Sequence, residues 1–105
     1  LESLPPKIER LGEHLARIKA LDSVGAVRQC GLVGGIELVA DKLTGRPFPW
    51  QEQRGMKASL AARRHGAILR PLGDVVVLWP PLSITLDELD RLVLAAEAGI
   101  REATG

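Results

Sequence analysis

The chain has a single cysteine, two histidines, no large excess of either charge and no apolar run of membrane-spanning length. Cys30 alone cannot close an internal disulfide. Set in an apolar stretch, it reads as small core filler in an intracellular protein, and no nearby base is signalled that would make it a catalytic thiol. His14 lies among charged residues and His65 ends a helical stretch. The two are far apart and lack metal-ligand spacing, so both are expected to be exposed and no metal is expected. The longest apolar run, Val75 to Trp79, is far below the ~20 residues needed to cross a bilayer, and the N-terminus lacks the charged-then-apolar pattern of a signal. Fourteen basic and thirteen acidic residues, net +1, are interspersed, which excludes the footprint of nucleic acid or anionic lipid. The expected compartment is the cytoplasm. Gly31-Leu32-Val33-Gly34-Gly35 has neither the spacing of a dinucleotide loop nor the lysine of a phosphate loop, and it reads as a bend.

What is present is periodicity. With 105 residues the chain is one domain, residues 1–105, able to bury roughly two thirds of its unfolded surface but short for an enzyme with its own cofactor cleft. It begins at Leu1, which reads as an excised piece. Leu4, Ile8, Leu11, Leu15 and Ile18 form one stripe of a helix over about Pro6 to Ala20, with Pro5 and Pro6 tolerable in its first turn. Val24 to Val39, β-branched and broken by glycines, predicts two strands or one bent one. Glu37, the only acid inside that run, is expected to face solvent or to pair with Arg28.

Asp41 to Pro47 is a polar turn, and Pro47-Phe48-Pro49-Trp50 an extended connector in which Trp50 is expected to pack. Gln51 to His65 predicts a second helix with Met56 and Leu60 inward and Gly66 as its left-handed cap. Ala67 to Arg70 and Asp74 to Trp79 predict strands. Thr85-Leu86-Asp87-Glu88 is a capping box opening a last helix whose buried stripe is Leu86, Leu89, Val93, Ala96 and Ile100. The order implies an α/β chain, an α+β sandwich in which helices cover one face of a small, mostly antiparallel sheet. Lys7, Lys19, Lys42 and Lys57 fall on helices or in the polar turn and are expected to be solvated.

Arg70 is the candidate binding residue. Pro71 biases it towards extended geometry, Gly73 can take positive φ, and Leu72-Gly73-Asp74 reads as a turn between two short strands. A guanidinium fixed at a strand end matches a carboxylate with its planar fork of donors, whereas a structural hairpin with a solvated arginine is the plainer alternative.

From Val24 to Leu82 the segments Gly25-Ala26-Val27-Arg28-Gln29, Gly34-Gly35-Ile36-Glu37-Leu38-Val39, Pro47-Phe48-Pro49, Arg70-Pro71-Leu72-Gly73-Asp74 and Pro80-Pro81-Leu82 together resemble the C-terminal small domain of class III aminotransferases. The resemblance covers about Pro5 to Arg101. The Arg-Pro-Leu-Gly-Asp turn is most similar to the biotin-pathway member, which aminates 8-amino-7-oxononanoate to 7,8-diaminononanoate. Pro-Pro-Leu, Ile84-Thr85 and an acidic helix start are common to the class. The resemblance implies pyridoxal phosphate as cofactor, bound by a large domain whose lysine, aspartate and stacking aromatic have no match here. It implies that Arg70 holds the substrate carboxylate with Pro71 and Gly73 shaping its site, that the amino donor is S-adenosylmethionine or lysine, and that the enzyme is a homodimer. The isolated chain would then be inactive, with no catalytic residue of its own. The alternatives are an ω-amino acid or ornithine-type transaminase and a free-standing binding module.

Overall fold

Proline is tolerated where a helix begins, because the first amides have no intrahelical partner anyway, and α1 (Leu4–Ile18) opens with Pro5 and Pro6. The computed structural model describes residues 4–64, 69–81 and 83–104. Leu11, Leu15 and Ile18 of α1 are buried. Each such side chain is worth about 1.5–3 kcal/mol, several times a surface ion pair, so the apolar stripe holds α1 in place.

Four strands follow: β1 (Val24–Cys30), β2 (Val33–Leu38), β3 (Arg70–Leu72) and β4 (Val75–Leu78). They form one sheet in the order β1-β2-β4-β3 with every neighbour antiparallel. Both hairpins close through two-residue loops that start with glycine, Gly31 at φ 59° and Gly73 at φ 60°. Glycine at the first loop position is the type II′ pattern, whose twist matches that of the strands. Val24 to Leu38 is thus two strands, with a bulge between Val24 and Ala26. The third strand differs from the reading of Ala67 to Arg70: it begins at Arg70 and takes in Leu72, leaving Gly73-Asp74 as the loop, while Ala67 and Ile68 lie outside the described residues. Pro71 faces Val76 in the pair next to those flanking the loop. That pair is of the non-hydrogen-bonded kind, so the missing N–H costs the sheet nothing.

Helices cover one face. α1 lies over β1 and β2, α2 (Arg54–Arg64) over β3 and β4, and α3 (Leu86–Thr104) packs against both helices. Val24, Ile36, Leu38, Val76 and Leu78 point into this core, meeting Leu89, Val93, Ala96 and Ile100 of α3. The Thr85 amide donates to Glu88 Oε1 at 2.9 Å and the Glu88 amide to Thr85 Oγ1 at 3.1 Å, which is the expected capping box.

The inward face of α2 is not the expected one. Met56 and Leu60 are 44% and 47% exposed, whereas Gly55, Ala58, Ser59 and Ala62 are buried. Small residues win because the neighbouring backbones come too close for large ones: a Cβ at Gly99 would lie 2.5 Å from the Ala58 carbonyl oxygen. Cys30 is exposed, not core. Strand alternation sets it with Ala26 and Arg28 on the face away from the helices, an arrangement that counting apolar neighbours in sequence cannot reveal. His65 and Gly66 lie outside the described residues.

Candidate functional site: the Arg70 turn and the open sheet face

Arg70 opens β3 with its Cα opposite Val77 of β4, which in turn faces Gly35 of β2, itself opposite Arg28 of β1. The next row runs Leu72, Val75, Glu37, Ala26. Members of a cross-strand row share a face, and the neighbours in these rows, Val75, Val77, Gly35 and Glu37, are half-buried on the side without helices. Arg28 and Glu37 approach to 3.7 Å there, as the sequence suggested, with the Arg28 side chain largely in solvent and that of Glu37 partly so. Such a pair contributes little to stability.

The loop that follows Arg70 is clamped from two sides. The Leu38 amide donates to the Asp74 carbonyl at 2.8 Å, tying the loop to the end of β2. On the other side Gly55, at the start of α2, sits so close that a Cβ would be 2.1 Å from the Gly73 carbonyl oxygen. Gly73 needs its positive φ and Gly55 its missing side chain, so two glycines far apart in sequence fix where β3 ends and β4 begins. Gly55 gave no sign of this in the sequence, because the contact is made only in three dimensions.

Beside the loop lies a groove of about 740 Å³ whose lining includes Pro47, Phe48, Pro49, Gln53, Met56 and Asp74. Phe48 packs against the core, and the Arg54 guanidinium stacks 4.7 Å from its ring centroid while its Nε donates to Glu52 at 2.8 Å.

A second polar cluster ties α1 to α3. Arg10 donates to Asp90 Oδ2 at 2.8 Å, and His14 Nε2 lies 2.7 Å from Asp90 Oδ1. Arg17 reaches His14 Nδ1 at 3.0 Å and also bonds Glu97. Because arginine can only donate, His14 Nδ1 accepts and its Nε2 carries the proton given to Asp90. The histidine expected in solvent has a side chain only 14% exposed. Its charged neighbours in sequence are what enclose it, by meeting acids on α3. The hydrogen bond from His14, reinforced by Arg10, holds the Asp90 carboxyl below its usual range against the opposing effect of burial. Burial pushes Glu97 up, but its bonds with Arg101 and Arg17 prevail and its pKa is lowered. Among the described residues no group of three or more His, Cys, Asp or Glu side chains could hold a metal ion.

The lysines are less uniformly solvated than expected. Lys7 is 7% exposed, and Lys42 Nζ donates to the Lys19 and Leu21 carbonyls at 2.5 and 3.0 Å, closing the end of α1. Lys19 and Lys57 are exposed on or beside helices. This set does not fit a Schiff-base site, which needs a lysine free to reach into a cavity lined for phosphate.

No family model matches the chain. It is 49% identical over 105 residues to the adenosylmethionine-8-amino-7-oxononanoate aminotransferase of Geobacter sulfurreducens, covering 100% of this chain and 23% of the relative. It is 47% identical over 102 residues to the Aquifex aeolicus protein of that name, covering 97% and 22%. The crystal structure of the Methanocaldococcus jannaschii enzyme of the same name superposes with a TM-score of 0.91 at 40% identity, over 96% of this chain and 23% of that one. An (S)-enantioselective ω-transaminase from Thermomicrobium roseum superposes equally well, TM-score 0.91, at 33% identity over 99% and 23%. The chain therefore spans less than a quarter of the length of these relatives.

Proposed function

We propose that this chain is a domain of a class III aminotransferase, the C-terminal small domain of an enzyme that transfers the amino group of S-adenosylmethionine to 8-amino-7-oxononanoate, giving 7,8-diaminononanoate in biotin biosynthesis. One observation carries the reading. Relatives at 47% and 49% identity over nearly the whole chain bear that one name, whereas the ω-transaminase neighbour shares the fold equally well at only 33% identity. Backbone similarity supports the class, and the sequence margin supports the substrate.

Within this reading Arg70 takes the carboxylate of the oxo-amino acid. A charge-assisted fork at a backbone position fixed on both sides orients the far end of a flexible chain, and orientation of the ketone is what sets the rate of transfer. Pro71, whose ring fixes its own φ, and Gly73, which accepts the positive φ of the loop, shape that position from either side of Leu72. Pyridoxal phosphate would supply the electron sink for amino transfer in such an enzyme. The lysines of this chain do not fit it, so its contacts are assigned to the remainder of the polypeptide. The complete enzyme is proposed to work as a cytoplasmic homodimer, and lysine in place of S-adenosylmethionine is the alternative donor.

The test uses the polypeptide of the complete reading frame. Arg70→Ala should lower kcat/KM for 8-amino-7-oxononanoate by roughly ten- to a hundredfold, the value of a charge-assisted bond of about 1.5–3 kcal/mol. Arg70→Lys should recover little of it, because a point charge cannot reproduce the fork. A folded Arg70→Ala enzyme with unchanged constants for the oxo-amino acid would end the assignment.

A further inference from the structure

Gln53 sits in a backbone conformation that its side chain does nothing to justify. Among the described residues it alone, glycines aside, takes positive φ, at 47°. Asparagine and aspartate tolerate this left-handed geometry by bonding nearby backbone, whereas the longer glutamine side chain is exposed here and has no hydrogen-bond partner among the described residues. Strain without local compensation persists only where the surroundings impose it. They do so from both sides. Before Gln53, the Glu52 amide donates to the Pro49 carbonyl at 3.0 Å and closes the 3-10 turn Trp50–Glu52. After it, the Lys57 amide donates to the Gln53 carbonyl at 3.0 Å and opens α2. Arg54 pins the junction through the Phe48 ring, through Glu52 and through the Ala103 carbonyl, which its Nη1 bonds.

Two residues further on stands Gly55, whose missing side chain admits the Gly73 carbonyl. Ala58 and Ala62 fix the middle of α2 against Gly99, but the first turn lies outside that contact. Glycine is a poor helix former, so this turn depends on the junction before it more than on its own propensity. We propose that Gln53 is a positioning residue for the carboxylate site: its left-handed backbone aims the first turn of α2 at the Gly73-Asp74 loop and so holds the end of the strand that Arg70 opens. The inference rests on the functional reading above. It assigns Gln53 no contact with substrate, only an effect carried through Gly55 and the loop.

A series at position 53 in the polypeptide of the complete reading frame tests this, with kcat/KM for 8-amino-7-oxononanoate measured well below the thermal midpoint of every variant. Gln53→Gly takes positive φ freely and should keep the parent's value or exceed it. Gln53→Ala removes the amide at little change in backbone cost and should match the parent. Gln53→Val, β-branched and out of place at positive φ, should lower the constant by about three- to tenfold. Should the valine variant not fold, Gln53→Thr, also β-branched, makes the same comparison. In the Arg70→Ala background these substitutions should change nothing further, because the contact they misplace is already gone. Equal losses in both backgrounds would reduce Gln53 to a residue of general stability and overturn the proposal. A series flat in kcat/KM would overturn it too, and so would a loss with alanine as large as that with valine. Arg70→Ala by itself separates the two readings. A folded Arg70→Ala enzyme with unchanged constants ends both, whereas an effective Arg70→Ala beside a flat or independent Gln53 series ends this proposal alone.

Discussion

Gly99 of α3 stands so close to Ala62 of α2 that a Cβ at position 99 would lie 2.6 Å from the Ala62 nitrogen and 2.9 Å from its Cβ. The atoms in the way belong largely to backbone, which cannot rotate aside. Gly99→Ala would gain about 1 kcal/mol of helix propensity, but overpacking of this kind costs about 1–3 kcal/mol, and the rigid contact places the cost at the upper end. The expected net effect is destabilisation, visible as a thermal midpoint lower by several degrees. A variant as stable as the parent would show that the two helices separate easily.

Gly55→Ala tests a different linkage. Its Cβ would meet the Gly73 carbonyl, so the strain falls on the loop that ends β3, three residues beyond Arg70. In the complete enzyme this variant should raise KM for the oxo-amino acid more than for the amino donor, while Gly99→Ala lowers stability without that asymmetry. Equal effects on both substrates would detach the loop from the carboxylate site.

The α1–α3 cluster should make the fold sensitive to acid. Asp90 and Glu97 have folded pKa values below their ordinary values of 3.8 and 4.5. The unfolded chain therefore takes up these protons first as pH falls. The stability they confer is fully present above about pH 4.5 and is lost as pH drops through the lowered folded values. Thermal midpoints measured from pH 6 to pH 2.5 should decline on the acid side, and Asp90→Asn should flatten part of that decline. An Asp90→Asn profile parallel to the parent's would remove Asp90 from the account.

Thr85→Ala should cost about 1 kcal/mol, since it leaves the Glu88 amide without its hydroxyl acceptor at the start of α3. Ser83→Ala, two residues earlier in an exposed turn, should be near neutral. Chemical denaturation of the two variants side by side distinguishes a cap from general loop polarity.

The elements legible in the sequence were those with a local signature. The stripe of α1, the capping box at Thr85 and the glycine that begins the loop after Leu72 each depend on residues within a few positions of one another. The errors share a different origin. Met56 and Leu60 point outward because Gly55 and Gly99 allow backbones to meet, and a helical wheel of α2 alone contains neither partner. His14 is enclosed by Asp90 and Glu97, some eighty positions away, and Cys30 is exposed by the phase of its strand. The candidate site divides in the same way: Arg70, Pro71 and Gly73 form a contiguous motif, whereas the clamp from Leu38 and Gly55 is assembled only by the fold.

The two rims of the sheet are both unsuited to accepting another strand. At the β3 rim Pro71 presents no amide where an incoming chain would need one, and that strand is only three residues long. At the β1 rim the bulge at Gly25 breaks the repeat of donors and acceptors. The domain can therefore present a broad apolar face without templating the end-to-end stacking of strands that leads to fibres. Whatever it joins must arrive broadside, over the valines, and once that face is occupied the sheet offers nothing for a further copy to extend.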